Sequence, residues 1–331
     1  MSSTHGAADL TRYYDFHGVG IAIRADRTDL LSAAHNRFRH FAVDALPSAP
    51  ALTFMFQGAA TAEQSAIAKP AGTHRRIYGL SLGDIVYSEA EDLLYVDWGD
   101  GYKALCRGRV GQARIAMPAD STNVLWATHL LFNLCLFELL KRQGLYNIHA
   151  AGLSSNGQGL LFTGTTGSGK STLTLALLRA GFELLGDDTL YLSQEGARVR
   201  ALAFPDEIDV TDQTIGFFPE LADLPPGRKT HRNKQPLAAE QIYPTGWVES
   251  CSPRVLIFPT VANTPTSVLQ PFDPEQALFE LASNIMFTEP HASQSHLDAL
   301  AALVRQCDCY RLETGRDFDT LPERLRELLE A

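Results

Sequence analysis

The chain has 331 residues, of which 45% are hydrophobic and 20% charged. That mix leaves ample apolar surface for a packed core and excludes a largely disordered polymer. Asp plus Glu outnumber Lys plus Arg by 38 to 28, a formal net charge of −10, which argues against a broad nucleic-acid-binding surface.

The length predicts two domains. The first residues, MSSTHGAADLTRYYDF, carry no apolar signal-peptide core, so a cytoplasmic location is expected. Residues 16–24 (FHGVGIAIR) read as a strand. Thr28 to Val43 carries apolar residues at helical spacing: Leu31, Ala34, Phe38 and Phe41. Thr53–Phe56 reads as a short strand. Residues 83–117 read as a β-meander, with Gly and Asp at its turns. Residues 1–120 are therefore expected to form a strand-rich α+β N-terminal domain, a candidate for substrate docking.

A long helix is predicted from about Thr122 to Arg142, with Gly144 placed to cap it. Its apolar run, Val124 to Leu140, is interrupted by Thr128, His129, Asn133 and Glu138. It reads as a buried helix and not as a membrane span. Strands then alternate with short helices from Tyr146 onward, the pattern of an α/β domain. Residues 219–246, rich in Pro and basic residues, read as a long surface loop. Strands near 254–258 and 266–270, helices near 274–285 and 294–305, a strand at 309–313 and a helix at 320–330 complete the series. The five cysteines, Cys106, Cys135, Cys251, Cys307 and Cys309, are too few and too scattered for a disulfide framework. Cys307-Asp-Cys309 lacks a second ligand pair at metal spacing and reads as packing.

Residues 164–171, G-T-T-G-S-G-K-S, match G-x-x-x-x-G-K-[ST] without a mismatch. The apolar strand Leu160–Thr163 precedes them and a helix-forming run follows, ended by Gly181. Gly164, Gly167 and Gly169 let the backbone curl and approach phosphate oxygens. With Thr165, Thr166, Ser168 and Thr172 they line the expected nucleotide cradle. The N–H groups at the helix start favour an anion. Lys170 can reach the β- and γ-phosphates, and the Ser171 hydroxyl can ligate Mg²⁺. ATP and Mg²⁺ are the expected cofactors.

Residues 182–188 (FELLGDD) read as a short strand ending in two carboxylates. A right-handed crossover over the short helix predicts that this strand lies directly beside Leu160–Thr163. Asp187 and Asp188 then face the phosphates. One can hold Mg²⁺; the other can accept a proton from an attacking hydroxyl. Upstream, Asn156-Gly157 is a strong two-residue hairpin signal. It sets Ser155 against Gln158, Leu153 against Leu160 and, extrapolated, His149 against Gly164. That register places an imidazole at the mouth of the glycine loop, where it can contact phosphate or polarise a nucleophile.

His149, the glycine loop and Asp187-Asp188, in this order and spacing, resemble the HPr kinase/phosphorylase family. The catalytic domain of that family is related to nucleotide-dependent phosphoenolpyruvate carboxykinases. The resemblance covers residues 146–193 well and 194–331 loosely. The N-terminal part looks more like divergent HPr-kinase-like proteins from bacterial gene neighbourhoods for peptide modification and small-molecule metabolism. The resemblance implies an α/β P-loop kinase domain over residues 121–331. It implies that Lys170 and Ser171 handle phosphate and Mg²⁺, which leaves Asp187, the other carboxylate of the pair, as the expected further metal ligand. It implies Asp188 as the base that deprotonates a serine hydroxyl, and His149 as an active-site residue near nucleophile and phosphate. Assembly into a homo-oligomer is implied too.

Where the family carries an E-I-R-G-L-G-type segment, this chain reads FPDEIDV over residues 204–210. Arg228, Lys229, Arg232 and Lys234 supply positive charge in the long loop. The reading that results is an ATP-dependent kinase acting on a hydroxyl of a peptide, protein or small metabolite. The alternative is a nucleotide-binding regulatory or scaffold protein with little catalysis. An ABC ATPase would need an L-S-G-G-Q-type signature, and a GTPase an N-K-x-D motif; neither is present.

Overall fold

The computed structural model describes residues 10–59, 67–79, 83–222, 234–243, 246–283 and 285–330. The chain is mixed α/β and divides into two compact units, residues 1–144 with 286–294, and residues 145–285 with 295–331. The division falls at Gly144, where the sequence reading placed it after residue 120. Among the described residues, no helix is long and apolar enough to cross a membrane.

The first unit is built on a nine-stranded sheet. The predicted strand at 16–24 is in fact a hairpin, Leu10–Phe16 paired with Val19–Ala25. His17 and Gly18, both at positive φ, make its turn. A His-Gly pair is a weaker turn signal than Asn-Gly, so the two strands read as one. The helix Thr28–Phe38 connects Val19–Ala25 to the parallel strand Leu52–Ala59. It stops short of Val43 in a tight turn at residues 39–41 and a two-residue strand. The meander is present as Asp84–Ser88, Leu93–Gly99, Tyr102–Arg107 and Gln112–Pro118, each antiparallel to the next. A further edge strand, Arg75–Gly79, precedes it.

The predicted long helix begins with a π-helical turn, Trp126–Leu131, and becomes regular only over Phe132–Leu140. Gly144, at φ 78°, follows its last turn as expected. Phe132 on this helix meets Phe38, Phe54 and Phe56 at centroid distances of 5.3, 4.9 and 5.5 Å. These rings bind the helix to the sheet. The distant segment 286–294 joins this unit through polar contacts. Lys141 Nζ, buried and paired with Glu138 Oε2 at 2.8 Å, donates to the Met286 carbonyl at 3.1 Å. Thr288 Oγ1 donates to Glu138 Oε2 at 2.6 Å. Burial holds the Lys141 pKa below its usual value, against the pull of Glu138.

In the second unit the strand order is 145–148, 190–195, 198–202, 250–261, 158–163, 150–155, 183–186. Strand Asp308–Thr314 runs parallel to Ser250–Val261, and Val268–Pro271 lies beyond it. Leu160, Phe162, Val255, Ile257 and Leu312 point to one face, packing with Leu173 and Leu177 of helix Lys170–Arg179 and Leu325 of helix Leu321–Glu330. Leu161, Leu256 and Phe258 point to the other, packing with Leu281, Leu300 and Leu303 from helices Pro274–Ala282 and Pro290–Gln306. Strands buried on both faces read as continuous apolar runs, which is why the LLF run of 160–162 was legible.

Helix Lys170–Arg179 ends at Gly181, φ 88°. The Phe182 N–H donates to Leu177 O and the Gly181 N–H to Leu178 O, both at 3.0 Å. This pair of bonds satisfies two terminal carbonyls and requires a left-handed residue between them. Gly181→Ala is therefore expected to cost about 1 kcal/mol of stability, read as a lower urea midpoint at constant m-value. An unchanged midpoint would show that the cap contributes nothing.

Candidate functional site

The hairpin forms with the register that Asn156-Gly157 dictates. Ser155 pairs with Gln158, Leu153 with Leu160, and the ladder ends at Ala150 opposite Thr163. Asn156 and Gly157 both have positive φ, the requirement of that turn. One residue past the ladder, His149 stands against the loop that starts at Gly164.

Residues 164–169 link strand Gln158–Thr163 to helix Lys170–Arg179. Gly167 and Gly169 adopt φ of 88° and 98°, a conformation that side-chain-bearing residues reach only with strain. A Cβ on Gly164 would lie 3.0 Å from Ser168 Oγ. Ser168 is itself buried, and its Oγ has no hydrogen-bond partner among the described residues. Thr165 and Thr166 are exposed at the tip of the loop. Lys170 Nζ folds back under it and donates to Gly164 O at 2.7 Å. Burial lowers the Lys170 pKa from its usual value, opposed by the charges of Asp188 and Asp187.

Lys170 Nζ also lies 3.3 Å from His149 Nε2. An ammonium can only donate, so Nε2 accepts and the ring proton sits on Nδ1. Nδ1–H then donates to the Asp188 carbonyl at 2.9 Å, with the Asp188 carboxylate 3.4 Å away. The Asp188 side chain is 79% exposed, whereas that of His149 is 29% exposed. Asp188 is thus the solvent-facing carboxylate of the pair.

Asp187 is its opposite. It is buried and accepts from Ser171 Oγ at 2.6 Å and from Thr174 Oγ1 at 2.7 Å. Burial raises its pKa above the ordinary carboxylate value, and the two hydroxyl bonds work against that rise. Thr174 was not anticipated from the sequence. Its signal was available: Ser171 and Thr174 are three apart on a helix and share one face. Thr172 takes another direction, exchanging a hydrogen bond with Thr214 at 3.1 Å. Its hydroxyl ties the helix start to the neighbouring short helix Asp212–Ile215.

The strand carrying the aspartates does not lie beside the loop strand, as the crossover argument required. Glu183–Gly186 pairs antiparallel with Ala150–Ser155, which itself pairs with Gln158–Thr163. The hairpin partner already occupies that flank, so the crossover skips one position. Direction is unchanged, because two reversals leave Glu183–Gly186 parallel to Gln158–Thr163. Asp187 and Asp188 therefore still emerge at the same end of the sheet as the loop.

Of the basic residues in the long loop, Arg228, Lys229 and Arg232 lie outside the described residues, while Lys234 immediately precedes strand Gln235–Leu237. That strand pairs with Ile208–Val210, the end of the FPDEIDV segment. Cys307 and Cys309 are buried free thiols. Among the described residues, no group of three or more His, Cys, Asp or Glu is arranged to hold a metal ion.

No family model matches this chain, and no curated protein matches it. Among solved structures, the HPr(Ser) kinase/phosphatase from Coxiella burnetii is similar at 15% identity, over 56% of this chain and 93% of that one, with a TM-score of 0.30. A score that low transfers no role to any residue here.

Proposed function

We propose that the second unit binds a nucleoside triphosphate with Mg²⁺ and transfers its γ-phosphoryl group to a hydroxyl, most simply a serine hydroxyl, of a peptide, protein or small metabolite. The observation that carries this reading is the convergence of His149, Lys170, Asp187 and Asp188 on one glycine loop. Asp187 lies on one hydrogen-bonded link to Ser171, and His149 bridges Lys170 to Asp188.

The residues fit the groups they would hold. Ser168 Oγ is buried without a partner among the described residues, as in a cradle whose ligand completes it. Lys170 and the N–H groups of the helix start would hold phosphate oxygens. Ser171 and Asp187 would hold Mg²⁺, a cation that needs one or two protein oxygens when phosphate supplies others. The metal supplies neutralising charge for the transferred group.

This chain's residues then have distinct tasks. Exposed Asp188 accepts the proton of the incoming hydroxyl. The acceptor oxygen gains its bond to phosphorus as the bond to the leaving nucleoside diphosphate breaks. His149 fixes the Asp188 backbone through Nδ1. Lys170, held among carbonyls in the structure, has the reach to exchange them for phosphate oxygens.

The test is Mg-ATP with a panel of serine peptides and small hydroxyl compounds. Phosphoester formation matched by ADP supports transfer. Nucleotide binding with no phosphoester on any acceptor would favour a regulatory role instead.

Asp187→Asn gives a separate, signed expectation. The folded pKa of Asp187 lies above its unfolded value, so its contribution to stability is full below the unfolded pKa and declines as pH rises through the folded pKa. Removing the charge should therefore leave the metal-free protein at least as stable at neutral pH. The extra thermal stabilisation that Mg²⁺ adds to ATP should vanish. A variant that keeps the Mg²⁺-dependent shift would remove Asp187 from the metal site.

A further inference from the structure

The order of strands gives the glycine loop two unlike flanks. On one side of strand Gln158–Thr163 lie Ala150–Ser155 and Glu183–Gly186, the strands that present His149, Asp187 and Asp188. On the other lie Ser250–Val261 and Asp308–Thr314, both parallel to it. Val261 ends the first of these strands and stands cross-strand from Thr314. Ile257 and Leu312 pack on the face covered by helix Lys170–Arg179. Alternation along each strand carries Val261 and Thr314 to that same face.

Val261 is 66% exposed and, with exposed Thr260, closes a strand that is buried over residues 255–259. Its Cγ2 lies 3.3 Å from where a Cβ on Gly169 would stand, so the side chain flanks the last residue of the loop. Beyond it, Arg316 Nη2 donates to Asn263 Oδ1 at 3.0 Å, both side chains exposed. Thr314 is buried, and its Oγ1 has no partner among the described residues. An exposed valine, followed two residues on by an amide that is paired with a guanidinium, suits a flat heteroaromatic ring with polar edges.

We infer that Val261, with Asn263 and Arg316 at its rim, is the subsite for the base and ribose of the nucleotide. The inference rests on the phosphate reading of the glycine loop given above. The reacting end of a triphosphate must face Asp188 and His149. Its nucleoside end must then leave the loop on the opposite flank, where Val261 stands. Ligands of open α/β sheets lie beyond the carboxyl ends of the strands, and Val261, Asn263 and Arg316 all lie there.

The full-length chain can be titrated with ATP and with inorganic tripolyphosphate, which carries the phosphates alone. Wild type should bind ATP at least about tenfold tighter than tripolyphosphate. Val261→Ser should weaken ATP about fivefold, and Arg316→Ala should weaken it further, with tripolyphosphate affinity unchanged in both. Equal wild-type affinity for the two ligands would overturn the subsite and leave the phosphate site standing. So would unchanged ATP affinity in both variants. Failure of wild type to bind either ligand would overturn the phosphate reading itself, and the subsite with it.

Discussion

Asp188→Asn is expected to bind Mg-ATP with nearly unchanged affinity while losing phosphoryl transfer by a factor of about 10² to 10⁴. Asp188 is solvent-facing, and its carboxylate and carbonyl both meet His149 Nδ1. Asparagine keeps its size and its main-chain carbonyl, so His149 Nδ1 retains its acceptor. What it loses is the ability to take a proton. Isothermal titration with ATP and single-turnover transfer separate the two effects. Equal transfer rates in wild type and variant would remove Asp188 as the base. A variant that also fails to bind ATP would move Asp188 from proton transfer into ligand binding.

Lys170→Ala is expected to lower transfer by at least about 10² and to weaken ATP binding as well. The reason is geometric. Lys170 is buried, its ammonium donates to Gly164 O, and it touches His149 Nε2. Its removal takes away the positive charge under the loop and frees Nε2, so the His149 tautomer is no longer enforced. The metal-free variant should not be much less stable. Burial already disfavours the Lys170 charge, and with a folded pKa below the unfolded one the charged group gives the fold no stabilisation at neutral pH. Chemical denaturation checks this. A large loss of stability together with normal nucleotide affinity would assign Lys170 a structural role only.

Both results bear on His149, which touches Lys170 through Nε2 and Asp188 through Nδ1. Its position follows from a turn seven residues away. The Asn156-Gly157 hairpin sets a ladder of fixed period, and a one-residue slip would have turned His149 away from the loop. Local turn chemistry thus determines a contact between side chains 21 residues apart in sequence.

Much of the candidate site was legible for that kind of reason. The glycine loop, the hairpin register and the paired aspartates depend on residues close in sequence and on backbone geometry that few side chains permit. The same is true of the meander in the first unit, with its Gly and Asp turns. The hairpin at His17-Gly18 and the π-helical start at Trp126 were not legible. Gly18 allows its positive φ but His17 does not favour its own, and no residue near Trp126 demands a π turn.

What sequence alone determined, then, is the loop, its lysine, and the end of the sheet from which Asp187 and Asp188 emerge. Tertiary structure alone decided which strands flank the loop. Sequence could not order them, because Ala150–Ser155 and Glu183–Gly186 compete for the same side of Gln158–Thr163, and pairing is settled by long-range packing. The order that results sets the strand before Asp187 and Asp188 on one flank of the loop strand and the strand ending at Val261 on the other. It also buries Asp187 against Ser171 and Thr174 while leaving Asp188 in solvent. Two adjacent, chemically identical carboxylates acquire different properties because only the folded neighbours, two hydroxyls around Asp187 and solvent around Asp188, make their surroundings unlike.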